Sequence, residues 1–395
     1  MRAIIIEDEP LSVAELRTTL AEVAPQIEVV ATASSVAEAA AVIAGVGHDL
    51  IFMDIHLGDG SGFDIFQRTE ISVPVIFITA YDSYALKAFE NKGIDYLLKP
   101  FGREDLQRAI DKLGLLGGVG MGVTRPGTIC STIGTSGVVF GCSAAPFIDP
   151  EPHGMYSQCH AVPGQYSFLG CTLGAGGSFK WMRDTFFAQQ KEALAARGES
   201  IYDYMTGLAA EQQPGCGGLV FLPYLGGEGT PYVDPNARGV FFGLSYQSDL
   251  GALCRAVMEG VTFSLRDTVE IIRAAGVEIS QIRVAGGGAK SALWRQMQTD
   301  IFGQSVCMTN VDEAPAAGAA ILAGVAAGLF PSADQACQAM VQLVSTTEPI
   351  AAHTAVYNEY YQTYRGLYQS LRQDFARQAE LAARADAALS GISHS

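Results

Sequence analysis

The most informative segment of the chain reads Asp49-Leu-Ile-Phe-Met-Asp-Ile-His-Leu-Gly-Asp-Gly-Ser-Gly62. A short apolar run ends at Asp54, and a glycine-rich turn follows immediately. This pattern predicts a buried parallel strand with a reactive carboxylate at its end and a loop that leaves the carboxylate accessible. Asp54 is therefore a candidate nucleophile that accepts a phosphoryl group.

The first part of the chain alternates short apolar runs with stretches of helical periodicity, such as Leu11–Val23. The predicted strands are Ala3–Ile6, Ile27–Ala31, Leu50–Asp54, Val73–Thr79 and Ile94–Leu98. Strand–helix units of this size predict a doubly wound α/β domain with a five-stranded parallel sheet.

Polar residues follow the ends of these predicted strands. Glu7 and Asp8 follow the first strand, Thr79 ends the fourth and Lys99 follows the fifth. Because ligands of such sheets bind beyond the carboxyl ends of the strands, we expect these side chains to meet Asp54. Taken singly, an acidic cluster is more often a solvated loop. The ordered set predicts a site of phosphoryl transfer.

Several carboxylates at one sheet edge repel one another unless a hard cation lies among them, and Mg²⁺ prefers oxygen ligands. The predicted ligands are the side chains of Glu7, Asp8 and Asp54 and the backbone carbonyl of His56. Mg²⁺ and the Lys99 ammonium would neutralise the incoming phosphoryl group while Asp54 attacks it.

Two further residues complete this predicted site. The hydroxyl of Thr79 would bond the new phosphate oxygen, and Tyr96 on the fifth strand would move inward as a two-state switch. The chain resembles the receiver domain of bacterial two-component response regulators in four motifs, Glu7-Asp8, Asp54, Thr79-Ala80 and Tyr96-x-x-Lys99-Pro100. The flanking sequence resembles that of the LytTR-type subgroup. The resemblance implies a flavodoxin-like fold, a sensor histidine kinase as phosphodonor and a cis Lys99–Pro100 bond.

Composition limits the remaining possibilities. With 395 residues, the chain is long enough for two or three domains, and its net charge of −16 argues against a nucleic-acid partner. Its eight cysteines form no C-x-x-C pair, so we expect buried free thiols and no zinc site. No signal-peptide pattern and no apolar run of about 18 residues are present, so we expect a cytoplasmic protein without a membrane partner.

The second part of the chain is rich in glycine. We expect Gly114–Gly122 to belong to a packed element, and Gly127–Gly141 to form two strands joined at Gly134-Thr-Ser-Gly137. That turn is either an ordinary hairpin turn or a phosphate cradle, and a triple glycine after another predicted strand could also approach a nucleotide closely. The candidate nucleotide-binding residues are Gly134, Thr135, Ser136, Gly286, Gly287 and Gly288.

Six motifs of this part resemble the C-terminal domain of FGGY carbohydrate kinases, most closely xylulokinases. They are Arg125-Pro-Gly-Thr, Gly134-Thr-Ser-Gly137, Leu222-Pro-Tyr-Leu-Gly-Gly-Glu-Gly-Thr-Pro231, Asp234-Pro-Asn-Ala-Arg-Gly239, Gly286-Gly-Gly-Ala289 and Ala314-Pro-Ala-Ala-Gly-Ala-Ala-Ile321. The resemblance implies an actin-like, ribonuclease H-like α/β domain, with Thr135 near the phosphates of ATP, Gly287-Gly288 near its adenosine, and D-xylulose as substrate.

The chain also departs from that family. The family's first domain has no counterpart, and its catalytic aspartate falls at Leu113, which cannot act as a base. Gly229 and Tyr232 stand where the family motif usually has Arg and His.

We therefore predict two domains, a receiver at 1–113 and an actin-like domain at 114–395, joined as a chimera by fusion or domain replacement. The main hypothesis is a phosphorelay receiver attached to a half-kinase that binds ATP without phosphorylating sugar. The alternative is an ATP-dependent xylulokinase that the receiver regulates. A third hypothesis is self-association through the exposed face of the half-kinase.

Overall fold

The computed structural model describes residues 2–24, 27–71, 73–80, 93–149 and 151–390. Helices and strands are numbered along these residues. The helices are α1 (Pro10–Val23), α2 (Val36–Gly45), α3 (Ile65–Arg68), α4 (Arg103–Gly120), α5 (Gly176–Phe186), α6 (Ala188–Ala195), α7 (Ile201–Ala210), α8 (Leu250–Ala274), α9 (Gly287–Lys290), α10 (Ala292–Phe302), α11 (Ala314–Ala326), α12 (Ala333–Met340) and α13 (Ala351–Ser390).

The strands include the five predicted for the first part of the chain, with ends shifted by at most two residues. They are β1 (Arg2–Ile6), β2 (Glu28–Ala33), β3 (Leu50–Asp54), β4 (His56–Leu57), β5 (Gly60–Ser61), β6 (Val75–Thr79), β7 (Gly93–Leu98), β8 (Thr128–Ile133), β9 (Gly137–Ser143), β10 (Tyr156–Cys159), β11 (Tyr166–Thr172), β12 (Val220–Leu222), β13 (Val240–Phe242), β14 (Gln281–Gly286), β15 (Val306–Thr309) and β16 (Leu343–Thr347).

The chain forms two compact units. The first unit comprises Met1–Pro126, Cys159–Ser167 and Thr309–Gln342, and the second comprises Gly127–Gln158, Phe168–Met308 and Leu343–Ser395. Each unit therefore draws residues from more than one stretch of the sequence. The predicted division between residues 113 and 114 falls inside α4, and it stays a prediction.

The first unit contains the parallel sheet, in the order β2-β1-β3-β6-β7. All five residues of β3 are buried, because its alternate side chains enter apolar clusters on opposite faces of the sheet. Phe52 and Ile76 pack in one cluster, and Met53 and Phe77 pack in the other. The doubly wound fold is confirmed, and the Lys99–Pro100 bond is cis as the resemblance implied.

Helix α4 extends well past the predicted end of the receiver. Its residues Leu106 and Leu116 join the apolar cluster under the sheet, and Val119 packs with Ile321 of α11. The glycine-rich segment is thus part of a packed helix, as predicted. It is not a linker.

The second unit is built around a mixed sheet in the order β10-β11-β9-β8-β14-β15-β16. The predicted strand–turn–strand motif is confirmed, because β8 and β9 pair antiparallel with Ile133 opposite Gly137. Strand β14 pairs with the other side of β8 in parallel. The α/β class of this second part is therefore also confirmed.

The tyrosines of α13 serve packing in the second unit. Tyr357, Tyr361, Tyr364 and Tyr368 are buried in the main apolar cluster of the second unit. None of the described helices combines the length and apolarity that a membrane span requires.

All eight cysteines are free. Five are buried as expected, but Cys159 is exposed and two are half-buried, so the prediction of uniformly buried thiols was wrong for those three. Cys159 lies in β10, Cys171 lies in β11, and Cys216 lies in a short 3-10 helix before β12. The buried ones are Cys130, Cys142, Cys254, Cys307 and Cys337.

Candidate functional site

Four neighbouring strands of the parallel sheet end at one edge and bring the predicted phosphoryl-transfer residues together. Asp54 is the last residue of β3, Glu7 directly follows β1, Thr79 ends β6 and Lys99 directly follows β7. The order β1-β3-β6-β7 makes Asp54 central in this group. These residues are far apart in the sequence, and the parallel crossover connections bring the carboxyl ends of their strands to the same edge of the sheet.

Lys99 connects the two buried carboxylates of this edge. Its Nζ atom lies 2.7 Å from Oδ2 of Asp54 and 2.7 Å from Oε2 of Glu7. Glu7 and Asp54 are each 7% exposed, so burial removes most of the water around both carboxylates. The Lys99 ammonium replaces part of that lost hydration.

This arrangement shifts two pKa values. Burial, together with the neighbouring Asp54 charge, raises the pKa of Glu7 despite the hydrogen bond from Lys99. Burial alone would lower the pKa of Lys99, but its hydrogen bonds to Asp54 and Glu7 outweigh burial and raise that pKa. The ammonium therefore stays charged at neutral pH.

The loop after β3 orients the other oxygen of Asp54. The backbone N–H of His56 donates to Oδ1 of Asp54 at 2.9 Å. The chain then turns back so tightly that a Cβ atom on Gly62 would overlap with the carbonyl oxygen of Asp54. Sequence analysis did not single out Gly62, although a glycine in this turn was the available signal.

The predicted metal ligands have suitable chemistry for a hard cation. Asp8 is exposed, and its Oδ2 atom lies 3.4 Å from the position of a Cβ atom on Gly58, in the loop that follows Asp54. Carboxylate oxygens are ligands that Mg²⁺ prefers, and the assignment of Glu7, Asp8 and Asp54 as its ligands stays a prediction. Within the described ranges, no group of three or more His, Cys, Asp or Glu residues forms a ready-made metal cage.

Thr79 and Tyr96 occupy the predicted strands. Thr79 is fully buried, and its carbonyl accepts the backbone N–H of Lys99 at 2.7 Å. Tyr96 pairs with Phe77 in the sheet, but its side chain lies outside the described residues. The switch role of Tyr96 stays a prediction.

A second candidate site lies at an edge of the mixed sheet. Strands β8 and β14 run in parallel and end side by side, with Ile133 paired to Gly286. The turn Gly134–Ser136 and the triple glycine Gly286–Gly288 therefore adjoin each other, although about 150 residues separate them in the sequence.

Close backbone contacts hold this edge together. Gly286 has a φ of 78°, and a Cβ atom on Gly288 would lie 2.7 Å from Cβ of Ile133. Gly134, Gly286 and Gly287 are exposed, so the backbone of this edge is accessible to a ligand.

The start of α5 supports the turn from its other side, which sequence analysis missed. The N–H of Gly176 donates to the carbonyl of Gly134 at 2.8 Å, and the N–H of Gly177 donates to the carbonyl of Thr135 at 2.9 Å. The segment Gly174-Ala-Gly-Gly177 was the available signal, since small residues permit such close approach.

Two positions that depart from the sugar-kinase motif have structural roles here. Tyr232 stacks on Tyr368 with ring centroids 3.5 Å apart, and a Cβ atom on Gly229 would overlap with the carbonyl oxygen of Cys171. Leu113 lies in α4, and as a leucine it supplies no carboxylate.

Comparison with known families matches both halves of the chain. The model of the FGGY family of carbohydrate kinases, C-terminal domain, matches residues 130–327, about half of the chain. The chain belongs to the FGGY family of carbohydrate kinases. Its residues 3–111 match the response regulator receiver domain, so this FGGY protein also carries a receiver domain. The LytTR-type subgroup stays a prediction.

Xylulose kinases are among the relatives of this FGGY protein. It is 36% identical over 257 residues to the xylulose kinase of Staphylococcus epidermidis, covering 65% of this chain and 50% of that protein. It is 35% identical over 256 residues to the xylulose kinase of Escherichia coli, covering 65% of this chain and 50% of that protein. The chain thus spans about half the length of the relatives it matches.

Solved structures confirm the sugar-kinase fold. The xylulose kinase of Rhodospirillum rubrum superposes with a TM-score of 0.59 at 29% identity, over 67% of this chain and 51% of that chain. The kinase of Brucella ovis superposes with a TM-score of 0.58 at 31% identity, over 66% of this chain and 51% of that chain.

Proposed function

We propose that the edge of the parallel sheet is a phosphoacceptor site, in which Asp54 takes a phosphoryl group from a phosphohistidine of a sensor histidine kinase. The observation that carries the proposal is the 2.7 Å contact of Lys99 with both Asp54 and Glu7. A fixed ammonium beside the nucleophile offsets the charge of the arriving phosphoryl group.

The transfer forms a bond between an Asp54 oxygen and phosphorus while the P–N bond of the donor breaks. The departing imidazole nitrogen takes up a proton from water. His56 and Lys99 each bind one oxygen of Asp54, which restricts the carboxylate to one orientation. Thr79, at the end of the adjacent strand, is the proposed hydroxyl donor to the new phosphate.

Mg²⁺ is the proposed cofactor of this step. Glu7, Asp8, Asp54 and the backbone carbonyl of His56 would hold it. When bound, the ion supplies positive charge that offsets the repulsion between the carboxylates and the phosphoryl group.

Incubation with acetyl phosphate and Mg²⁺, followed by mass spectrometry of the intact protein and its peptides, tests this proposal. We expect one added phosphoryl group on Asp54, none on Asp54→Asn, and a normal yield on His56→Ala, because only the backbone of His56 takes part. Equal modification of Asp54→Asn would overturn the assignment.

We propose a second function for the FGGY part, namely binding of ATP with its phosphates near the Gly134–Ser136 turn and its adenosine near Gly287-Gly288. The adjacency of Ile133 and Gly286 supports it, because it brings two glycine segments with accessible backbone to one sheet edge. Phosphorylation of D-xylulose is the alternative, and Leu113 at the position of the catalytic aspartate argues against it.

Calorimetric titration of ATP with Mg²⁺, paired with an ADP-release assay with D-xylulose, separates these outcomes. We expect binding that weakens in Thr135→Ala and no ADP release above that variant. Turnover with D-xylulose that Thr135→Ala abolishes would establish the kinase alternative. Absence of any binding would remove the nucleotide function.

A further inference from the structure

A buried carboxylate that the proposed chemistry does not use lies behind the Gly134–Ser136 turn. Glu228 is 2% exposed and accepts four hydrogen bonds. Oε1 accepts the N–H groups of Gly229 at 2.7 Å and Leu173 at 3.2 Å. Oε2 accepts the hydroxyls of Thr172 at 2.8 Å and Ser264 at 3.2 Å.

These donors connect Glu228 with the turn by two short routes. Thr172 ends β11, and its methyl carbon lies 2.7 Å from the position of a Cβ atom on Gly137, at the end of the turn. Leu173 begins the segment that leads to Gly176, whose N–H binds the carbonyl of Gly134 at 2.8 Å. A displacement of residues 172–173 would therefore shift the turn at both of its ends, Gly137 through Thr172 and Gly134 through Gly176.

We propose that Glu228 is a positioning residue, which fixes the end of β11 and the start of α5 and thereby sets the shape of the Gly134–Ser136 turn. This inference rests on the proposed nucleotide-binding function, because a shaped turn matters only if it receives a ligand. Glu228 does not touch the ligand itself.

A carboxylate suits this task better than an apolar side chain would. Two backbone N–H groups and two hydroxyls converge on it, and each would lose its acceptor if the carboxylate were removed. Burial raises the pKa of Glu228 to about 8, although the four hydrogen bonds favour the charged form.

A pair of isosteric substitutions tests the inference. Thr172→Val removes the hydroxyl that binds Glu228 on the side of the turn and keeps the methyl group. Tyr224→Phe removes a buried hydroxyl bond of 2.7 Å to Tyr364, in the same segment as Glu228, and serves as the control. Hydrogen exchange of the amides of residues 134–137, 176 and 177 is measured first, because it needs no ligand.

We expect Thr172→Val to speed exchange of these amides about tenfold, as expected for the loss of one hydrogen bond, and Tyr224→Phe to leave them unchanged. Equal effects of the two variants, or no effect of Thr172→Val, would overturn the inference. Glu228→Gln, which keeps an acceptor for the backbone donors, should exchange more like the wild type than Glu228→Ala.

ATP titration then separates this inference from the proposed function. If the wild type binds ATP, we expect Thr172→Val to bind several-fold more weakly and Tyr224→Phe to bind normally. If the wild type does not bind ATP while Thr172→Val still loosens the turn, the nucleotide function fails and the positioning of the turn stands. If ATP binds equally to the wild type and Thr172→Val, the positioning role fails alone.

Discussion

The carbonyl oxygen of Leu116 in α4 lies where a Cβ atom of Gly318 in α11 would be. The two helices approach so closely that only glycine fits at this crossing. Gly120 makes a similar approach to the carbonyl of Ala314. The helix that continues the receiver fold is thus packed backbone to backbone against a helix from the FGGY sequence, within the first unit.

Substitution of Gly318 should separate these helices. We expect Gly318→Ala to lower the free energy of unfolding by about 1–3 kcal/mol, because overpacking forces the backbones apart. Urea denaturation measures this loss. The control is Gly366→Ala in α13, where no neighbouring element among the described residues comes within 4 Å of the added Cβ and stability should be equal or slightly higher. Equal losses in both variants would contradict the close crossing.

Removal of Lys99 should leave two buried carboxylates without their common partner. We expect Lys99→Met to raise the pKa of Glu7 further, because the Lys99 bond lowers it. Carboxyl NMR titration measures that pKa. We also expect a loss of about 1–3 kcal/mol in stability at pH 7, below the value for fully buried pairs because Lys99 is partly exposed.

The control for Lys99 is a surface ion pair of the same unit. Arg103 contacts Glu22 at 2.8 Å, with 71% and 41% of the two side chains exposed. Arg103→Ala should change stability by less than about 0.5 kcal/mol and leave phosphorylation of Asp54 intact. If Lys99→Met behaves like Arg103→Ala in both measurements, Lys99 has no special role.

Sequence patterns predicted some parts of this molecule and missed others for physical reasons. The continuous apolar run before Asp54 is typical of a strand buried on both faces, so the position of Asp54 at the carboxyl end of β3 was predictable. Gly318 carried no comparable signal, because a helix crossing depends on two segments about 200 residues apart. Glu228 was also missed, since its burial follows from the packing of three separate elements. Self-association of the half-kinase stays a prediction.

The second unit should lose stability as pH rises. Burial raises the pKa of Asp267 to about 7, above the ordinary value of an aspartate. The folded state then holds a proton that the unfolded state releases, so this stabilisation is complete below the ordinary pKa and is lost as pH rises through about 7. Glu228 acts in the same direction up to a pH of about 8.

Asp267→Asn should reduce that pH dependence. In the wild type, the Tyr361 hydroxyl donates to Oδ1 of Asp267 at 2.6 Å. The amide oxygen of the variant can accept the same hydrogen bond, but the amide does not titrate. We expect the slope of unfolding free energy between pH 5 and pH 7 to decrease by up to about 1.4 kcal/mol per pH unit. Urea denaturation at several pH values measures it, and Asp203→Asn on the exposed side of α7 is the control. An unchanged slope would refute the assignment of this proton to Asp267.

Two adjacent glycines of α9 should respond differently to alanine. A Cβ atom on Gly288 would lie 2.7 Å from Cβ of Ile133, whereas the nearest atom to one on Gly287 is the carbonyl oxygen of Ile133 at 3.8 Å. Gly288→Ala should therefore lower the unfolding free energy by about 1–3 kcal/mol, and Gly287→Ala should leave it equal or slightly higher.

For ATP binding, in contrast to stability, Gly287→Ala is the substitution that should act directly. Gly287 is exposed at the edge beside the Gly134–Ser136 turn, so a methyl group there would stand between the backbone and a bound nucleotide without disturbing the fold. We expect Gly287→Ala to weaken ATP binding without lowering the free energy of unfolding. Calorimetry measures the affinity for ATP, and urea denaturation of the same sample measures the stability. Unchanged ATP affinity in Gly287→Ala would mean that the nucleotide does not approach this glycine, because among the described residues the added Cβ meets only the carbonyl oxygen of Ile133, at 3.8 Å.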